Sequence, residues 1–269
     1  MDAIQGIVLG LIQGITELLP VSSSGHLILV PYFLGWQDQG LLFDMALNTG
    51  TLLALMIYFH RDIMELTTGW FRSFQGGLAD NPHGRLAWAV ALGTIPAGVA
   101  GIVIKDFVEG SGRDPKIVGS TLIFYGMLLW WADRRASLSR QLSLLTLRDA
   151  LLIGLAQVLA LIPGTSRSGI TMTAALLLGF NRDAAARFAF LLAIPIGVAA
   201  AILDIKELLH ANITSAAWEK IGIAFVVAAL SALVVVHWLL GWVRRHTMTP
   251  FVVYRVILGL IVYWLAFGR

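Results

Sequence analysis

Long apolar stretches dominate this 269-residue chain and constrain its fold more than any other feature. A helix needs about 20 mainly apolar residues to cross a bilayer. Hydrophobic residues make up 58% of the chain and charged residues 13%, whereas soluble domains average about 45–50% and about 25%. We therefore predict an all-α polytopic membrane protein with six transmembrane helices, at 41–59, 86–104, 117–132, 188–203, 221–243 and 250–267.

Two further apolar regions, 3–35 and 150–180, are interrupted in their middle. The breaks read Pro20-Val-Ser-Ser-Ser-Gly25 and Pro163-Gly-Thr-Ser-Arg-Ser-Gly169. Each half is too short to span, and non-helical backbone at membrane depth is tolerated only where it lines a cavity or is buried in protein. We predict that both regions are re-entrant helical hairpins. The alternative is one kinked spanning helix in each region.

The two interrupted regions are related by an internal repeat. A shift of 144 residues aligns Gly10 with Gly154, Leu11 with Leu155, Gln13 with Gln157, Ser22 with Ser166, Ser24 with Ser168, Gly25 with Gly169, and Gly35 with Gly179. We predict a single membrane domain over residues 1–269. Repeat 1 covers about 1–104 with its hairpin at 3–35, and repeat 2 covers about 149–267 with its hairpin at 150–180.

The distribution of basic residues predicts the orientation. If both hairpins return to the side they enter from, one side carries eleven arginines in loops 60–85, 133–149, 181–187 and 244–248. The other side has six basic residues and both chain ends. Cytoplasmic loops are enriched in Lys and Arg, so the first side is predicted to be cytoplasmic and the repeat to have inverted topology. If both hairpins span instead, these assignments change.

The net charge of +3 comes from basic residues in these membrane-flanking loops. Residues of this kind act as topology signals and contact lipid headgroups. We therefore expect membrane lipids, and no nucleic acid, among the binding partners.

The second break carries the residues of an anion-binding site. Hydroxyls, a single arginine and backbone N–H groups at a helix start all favour a negatively charged ligand. Phosphate or pyrophosphate is the expected ligand; a carboxylate, or an arginine that only caps backbone carbonyls, are the alternatives. The candidate residues are Gly164, Thr165, Ser166, Arg167, Ser168 and Thr171.

The first break supplies the residue types that phosphoryl chemistry needs. A hydroxyl is the candidate nucleophile, and an imidazole is the candidate acid or base. A carboxylate could orient the imidazole or hold a divalent cation. The candidate nucleophile is Ser22, Ser23 or Ser24, the candidate acid or base is His26, and the carboxylate is Glu17. Gln13 lies four residues before Glu17, on the same face of the helix, and is a candidate substrate ligand. The alternatives are a histidine that only bonds backbone and serines that only cap the second helix.

Other polar residues in apolar stretches are weaker candidates. Asp44 and Asn48 lie four residues apart and could line a cavity, and Arg255 is expected to extend to the interface or to pair with an acid. The sequence contains no P-loop and no His/Glu zinc signature, which disfavours ATP-driven transport. It contains no cysteine, which excludes thiolate catalysis.

Several segments closely resemble the bacterial undecaprenyl pyrophosphate phosphatase (bacitracin resistance protein) family. They are Gln13-x-x-x-Glu17, Pro20-Val-Ser-Ser-Ser-Gly-His26 and Pro163-Gly-Thr-Ser-Arg-Ser-Gly-x-Thr171. The likeness continues through residues 181–195 and Tyr254-Arg255, so it covers nearly the whole length. In this family the first acidic motif begins with Glu or Gln. Here it begins with Gln13, which leaves Glu17 as the only acid of the cluster.

The resemblance implies a hydrolase of the bacterial cytoplasmic membrane, and the predicted entry of the first hairpin from outside favours an active site on the extracytoplasmic side. It would convert undecaprenyl pyrophosphate to undecaprenyl phosphate, recycle this lipid carrier for peptidoglycan synthesis and confer bacitracin resistance. Six spans, two re-entrant hairpins, a homodimer and a divalent metal, Mg²⁺ or Ca²⁺, are also implied. The family's essential positions correspond to Glu17, Ser23, His26 and Arg167, with Glu17 as the metal ligand.

Two mechanisms of hydrolysis are open. In one, Ser23, activated by His26, attacks the terminal phosphorus; in the other, His26 activates a water molecule for that attack.

A different function is also open. Inverted repeats with broken midplane helices are a transporter layout as well, so the competing function is a non-enzymatic transporter or lipid flippase for a phosphorylated lipid or an anion.

Overall fold

The computed structural model describes residues 3–103, 114–210 and 214–267. Within these ranges it contains eleven α-helices joined by short connections. They are α1 (Ala3–Thr16), α2 (Ser23–Leu34), α3 (Leu41–Tyr58), α4 (His60–Gly76), α5 (Pro82–Val103), α6 (Pro115–Arg135), α7 (Leu147–Gln157), α8 (Arg167–Leu177), α9 (Arg182–His210), α10 (Ser215–Val243) and α11 (Thr249–Phe267).

All six predicted spans are helical in the structure. The helices α6 and α9 extend beyond the short apolar stretches 117–132 and 188–203, as their flanking residues allow. Among the described residues, four helices are long and apolar enough to cross a membrane: Leu41–Tyr58, Pro82–Val103, Arg182–Lys206 and Ala217–Val243. The apolar part of α11, Thr249–Leu265, is shorter. Most of the predicted loop 105–116 lies outside the described residues.

The region 60–85, predicted as a loop, is mostly helical. This region forms an amphipathic helix, α4, whose charged residues interrupt any long apolar stretch. One edge of α4 is aromatic: the ring centroids of Trp70 and Phe74 lie 4.9 Å apart, and Trp70 lies 5.9 Å from Trp88 of α5. Because this edge packs on α5, tertiary contacts as well as its own pattern stabilise α4.

Each interrupted region forms two separate helices that contact each other, α1 with α2 and α7 with α8. In the first region, residues 17–22 are not helical. In the second, a 3₁₀ turn at Val158–Leu161 precedes the break. The prolines of the two breaks fall in these non-helical segments, where a missing backbone N–H and a fixed φ angle are tolerated.

Glycines let the short helix α1 pack closely against the long helix α10. A Cβ atom at Gly10 would lie 2.7 Å from the carbonyl oxygen of Ala224, and one at Gly14 would lie 2.5 Å from that of Ala228. The contacting residue numbers rise together on both helices, so α1 and α10 run parallel.

The second short helix, α7, packs on α5 in the same way. A Cβ atom at Gly154 would lie 2.8 Å from the Cα atom of Gly93, and one at Gly101 would lie 3.9 Å from the side chain of Leu161 in the turn after α7. These contacts also rise together along the chain. Each short helix therefore packs, in parallel, on a long helix of the other half of the chain.

These contacts predict opposite effects for two glycine substitutions on α1. Gly14→Ala is expected to destabilise the protein by about 1–3 kcal/mol, because its methyl group would overlap Ser231 Oγ and lie 2.5 Å from a backbone oxygen. Gly6→Ala meets its nearest atom at 3.6 Å and gains about 1 kcal/mol of helix propensity. Thermal unfolding in detergent measures both. Equal midpoints for the two variants would contradict the close contact of α1 with α10.

Ion pairs hold the basic segments together at one end of the helix bundle. The pairs are Arg187 with Asp62 (2.7 Å), Arg182 with Asp133 (2.5 Å) and Arg244 with Asp183 (2.7 Å). The carboxylate of Asp133 also accepts a hydrogen bond from the backbone N–H of Met248 at 3.0 Å. The four segments 60–85, 133–149, 181–187 and 244–248 therefore meet at the same end of the bundle.

Arg140 closes the base of the second interrupted region at that same end. Its guanidinium donates to the carboxylate of Asp149, in the first turn of α7, at 2.6 Å. It also donates to the carbonyl oxygen of Leu178, which directly follows α8, at 2.9 Å. The backbone N–H of Arg140 donates to the carbonyl oxygen of Gly179 at 3.0 Å. The two ends of this region therefore lie side by side.

Candidate active site

The two breaks end in the same backbone conformation. Ser22 and Ser166 both have a φ angle of 73°, a region that residues other than glycine rarely adopt. Each serine caps the helix that follows: its hydroxyl accepts a hydrogen bond from the backbone N–H of Gly25 (3.4 Å) or Gly169 (3.0 Å). The capping interpretation therefore holds for these two serines. Their conformation costs on the order of 1–3 kcal/mol each, which the surrounding contacts must offset.

Side chains of the second break bind the first break directly. The Ser168 hydroxyl donates to the carbonyl oxygen of Leu19 at 3.0 Å. The Arg167 guanidinium donates from Nη2 to Glu17 Oε1 at 2.5 Å. Residues 150 positions apart in the sequence thus form an ion pair between the two breaks. The carboxylate of this pair is largely buried, with 13% of the Glu17 side chain exposed.

Glu17 connects the candidate nucleophile with the polar residues of two other helices. The Ser23 hydroxyl donates to Glu17 Oε2. The amide nitrogen of Gln13 donates to the same oxygen at 3.2 Å and to Asn48 Oδ1 at 2.7 Å. The structure therefore brings together Gln13, Glu17, Ser23 and Arg167 of the predicted site, and it adds Asn48 from α3.

A cleft between α3 and α9 opens onto this cluster. Glu17 and Arg167 lie on its wall, and α3 contributes Asn48, one of the two weaker candidates. Asp44, the other one, is buried and accepts a hydrogen bond from Gln39 at 2.6 Å. The remaining wall is formed by Thr49, Thr51, Leu52, Leu55, Ala193, Gly197, Ala200, Ala201 and Asp204. The cleft thus joins the Glu17–Arg167 pair to a wall that is mostly apolar and also carries Thr49, Thr51 and Asp204.

His26 is bonded to groups other than the predicted nucleophile. Its Nδ1 lies 2.7 Å from the carbonyl oxygen of Ser22, and its Nε2 lies 2.6 Å from the hydroxyl of Tyr254. The imidazole and Tyr254 ring planes are nearly parallel, with an interplanar angle of 4° and centroids 5.6 Å apart. In this conformation the Ser23 hydroxyl donates its hydrogen bond to Glu17, while His26 lies three residues along the same helix.

Arg255 is completely buried, with 0% of its surface exposed. The expectation that it extends to the interface or pairs with an acid is wrong. Its guanidinium instead donates to five backbone carbonyl oxygens at 3.0–3.3 Å, those of Leu122, Pro20, Thr121, Gly164 and Thr165. Pro20 belongs to the first break and Gly164 to the second, so this side chain ties both breaks to α6.

Three residues of the predicted anion site are packed inside the protein. Gly164 has a φ angle of 87°, and a Cβ atom there would lie 2.7 Å from the carbonyl oxygen of Val118. Thr165 is 0% exposed, and the Thr171 hydroxyl donates to the carbonyl of Arg167 at 2.8 Å. Of the residues predicted to bind the anion in the second break, Arg167 is the one on the cleft wall.

Ser24 and Ser168 occupy equivalent places next to the two capping serines. The Ser24 hydroxyl lies 3.3 Å from that of Ser22, and the Ser168 hydroxyl lies 3.2 Å from that of Ser166. These contacts extend the correspondence between the two breaks from the backbone to the side chains. Both pairs thus support the first turn of the following helix.

In the structure Glu17 accepts from the N–H groups of Gln13 and Arg167, so a hard divalent cation would have to bind beside these donors. The side-chain oxygen Oε1 of Gln13 is buried and has no hydrogen-bond partner among the described residues. Mg²⁺ is often bound through one or two carboxylates together with phosphate oxygens. No group of three or more His, Asp or Glu side chains within residues 3–103, 114–210 and 214–267 is arranged to hold a metal. A cation here would depend on Glu17, Gln13 and a phosphate ligand.

These features define an all-helical membrane protein in which two helix breaks meet at a polar cleft. A family model described as "Bacitracin resistance protein BacA" matches residues 6–261. The chain therefore belongs to the bacitracin resistance protein BacA family.

Full-length relatives support the same assignment. An "Undecaprenyl-diphosphatase" of Magnetococcus marinus is 51% identical, with 98% of both chains covered. An "Undecaprenyl-diphosphatase" of Saccharophagus degradans is 48% identical over 96% of both chains. An "Undecaprenyl-diphosphatase 2" of Stutzerimonas stutzeri is 50% identical over 97% of both chains.

Proposed function

We propose that this protein hydrolyses undecaprenyl pyrophosphate to undecaprenyl phosphate and phosphate. The names of its full-length relatives supply the substrate and the reaction. The observation in the structure that carries the proposal is the ion pair of Glu17 with Arg167, which joins the two breaks at the cleft. The reaction recycles the lipid carrier for peptidoglycan synthesis and confers resistance to bacitracin.

Arg167 binds the pyrophosphate. Its contact with Glu17 uses one terminal nitrogen of a guanidinium that has five N–H groups, so the fork can also meet a phosphate oxygen. The helices α2 and α8 both begin at the breaks, and the positive ends of their dipoles favour the same anion. The apolar wall of the cleft accommodates the start of the prenyl chain.

Ser23 is the proposed nucleophile. Its hydroxyl gives a proton to Glu17, to which it is already hydrogen-bonded. The serine oxygen then forms a bond to the terminal phosphorus as the phosphoric anhydride bond breaks and undecaprenyl phosphate leaves. Water attacks the resulting phosphoserine, which releases phosphate and restores the hydroxyl. Glu17 returns its proton to the serine oxygen in the second step, while His26, on the same helix, takes a proton from the attacking water and passes it to the released phosphate.

Direct attack by water, activated by His26, is the rival mechanism. It requires no covalent intermediate, so it predicts that Ser23→Ala retains turnover. Covalent catalysis predicts that Ser23→Ala loses turnover and that a phosphoserine can be trapped by acid quenching. Trapping at residue 23 therefore decides between the two mechanisms.

A divalent cation, Mg²⁺ or Ca²⁺, is proposed to assist. Glu17 and the side-chain oxygen of Gln13 would hold it, and when bound it neutralises charge on the phosphates. The chain's own residues still position the substrate and move the protons.

We also propose that the single domain has six spans and two re-entrant hairpins in an inverted repeat. The meeting of four basic segments at one end of the bundle supports this topology. The contact of Arg140 with both ends of the second hairpin supports a return to the side of entry. The parallel packing of α1 on α10 and of α7 on α5 supports entry from opposite sides.

The basic end of the bundle is proposed to face the cytoplasm of a bacterial inner membrane. The first hairpin then enters from outside, which favours an extracytoplasmic mouth for the cleft. A homodimer is consistent with this arrangement and is part of the proposal.

Hydrolysis and transport are separated by an assay on purified protein in detergent and in vesicles. The proposal predicts phosphate release from undecaprenyl pyrophosphate in detergent, and a loss of that release when a chelator removes divalent cations. A transporter or flippase would instead move intact undecaprenyl pyrophosphate across the vesicle membrane without phosphate release. Translocation without release, from folded protein, would overturn the proposed function.

A further inference from the structure

Tyr254 contacts the candidate acid–base residue in two ways. Its hydroxyl lies 2.6 Å from Nε2 of His26. Its ring plane is nearly parallel to that of the imidazole, at an interplanar angle of 4°. Tyr254 comes from α11, 228 residues away in the sequence. The hydrogen bond holds Nε2 in place, and the neighbouring parallel ring limits rotation of the imidazole.

The partners of His26 define its protonation pattern. Nδ1 faces the carbonyl oxygen of Ser22, and a carbonyl can only accept, so Nδ1 carries the hydrogen. In the neutral ring Nε2 is then the acceptor, and the Tyr254 hydroxyl donates to it. When Nε2 takes up a proton, the same hydroxyl oxygen accepts from it. Tyr254 therefore suits both protonation states of Nε2, the atom that would exchange protons during the reaction.

The neighbouring Arg255 fixes the place of the tyrosine. Its buried guanidinium binds Pro20 of the first break and Gly164 of the second. Because Tyr254 and Arg255 are adjacent on α11, the hydroxyl is held in a constant position relative to both breaks. Tyr254, which orients His26, is thus carried by the helix that Arg255 binds to both breaks.

We propose that Tyr254 is a positioning residue that holds the imidazole of His26 through Nε2 and bonds to this atom in both its neutral and its protonated form. The inference rests on the proposed phosphatase function, because it assigns a role within that reaction. Tyr254 acts through His26, so it contributes mainly to turnover and little to the binding of undecaprenyl pyrophosphate.

Tyr254→Phe tests this role because it removes the hydroxyl and keeps the ring that lies beside His26. Tyr263→Phe is the matched control: it removes a tyrosine hydroxyl from the same helix, where the partner is Ser120. Both variants are compared with the wild type in two measurements. The first is kcat and KM for phosphate release, and the second is the rate at which diethyl pyrocarbonate modifies His26, read by mass spectrometry.

For Tyr254→Phe we expect kcat to fall by about 10- to 100-fold, with KM little changed. Modification of His26 should be faster, because the lone pair of Nε2 is no longer occupied by a hydrogen bond. Tyr263→Phe should match the wild type in both measurements. An unchanged kcat in Tyr254→Phe, or an unchanged rate of His26 modification, would overturn the proposal.

The two measurements separate this inference from the proposed function. If the wild type released no phosphate, the phosphatase proposal would fail, and the modification rate would still test the contact of Tyr254 with His26. If the wild type is active and Tyr254→Phe is equally active, only the positioning role fails.

Discussion

Replacing Arg167 with alanine is expected to lower phosphate release from undecaprenyl pyrophosphate by about 100- to 1,000-fold. The substitution removes the cation on the cleft wall that meets the pyrophosphate. It also leaves the largely buried carboxylate of Glu17 without its ion-pair partner at 2.5 Å. The measurement is kcat/KM for phosphate release by the purified variant.

Two control variants separate the guanidinium from a general loss of charge. Arg167→Lys keeps the positive charge and loses the planar fork, so we expect it to recover only part of the activity. Arg244→Ala removes an exposed arginine that, like Arg167, pairs with one carboxylate; exposed pairs contribute about 0–1 kcal/mol, and its activity should stay near that of the wild type. Wild-type kcat/KM in Arg167→Ala would contradict its role in binding.

Replacing Arg255 with methionine is expected to lower both stability and activity. The substitution keeps much of the side-chain volume and removes the Arg255 donors from five carbonyl oxygens, three of which, those of Pro20, Gly164 and Thr165, lie in the non-helical breaks. A buried polar group left unpaired costs about 1–3 kcal/mol, so we expect a loss of at least about 3 kcal/mol. The thermal unfolding midpoint in detergent and the rate of phosphate release measure the two effects.

Ile257→Ala is the control for Arg255, because it lies on the same helix with 53% of its surface exposed. It should leave the unfolding midpoint close to that of the wild type. The two arginines also predict different patterns: Arg167→Ala should lose activity with a moderate drop in midpoint, because Glu17 keeps its hydrogen bonds from Gln13 and Ser23, whereas Arg255→Met should show the larger drop in midpoint. An unchanged midpoint in Arg255→Met would show that its carbonyl contacts do not stabilise the breaks.

Local sequence patterns predicted the helical segments and the places where they break. The prolines and glycines at Pro20 and at Pro163-Gly164 interrupt apolar stretches, and the structure has two short helices in each region. The repeat of Ser22 at Ser166 also matched, because both residues cap the next helix with the same φ angle. These features depend on chemistry within a few residues of the chain, so they can be recognised in the sequence.

The contacts that complete the site could not be predicted, because they join residues far apart in the sequence. Nothing in the local pattern indicates that Arg167 donates to Glu17 or that Tyr254 binds His26. The burial of Arg255 was missed for the same reason, since its partners are backbone carbonyls, which leave no sequence signal. The one feature of the sequence that pointed to Tyr254 and Arg255 was their polarity within an apolar span, because polar residues at membrane depth are often functional.

The most direct test is a double-mutant cycle on kcat/KM for phosphate release, with Glu17→Gln, Arg167→Ala and the double variant. If the two breaks form one hydrolytic site, the wild type releases phosphate, each single variant loses most of that activity, and the double variant is little worse than either. The account would be contradicted if the free-energy losses of the two single variants added up in the double variant. It would also be contradicted if folded wild-type protein released no phosphate.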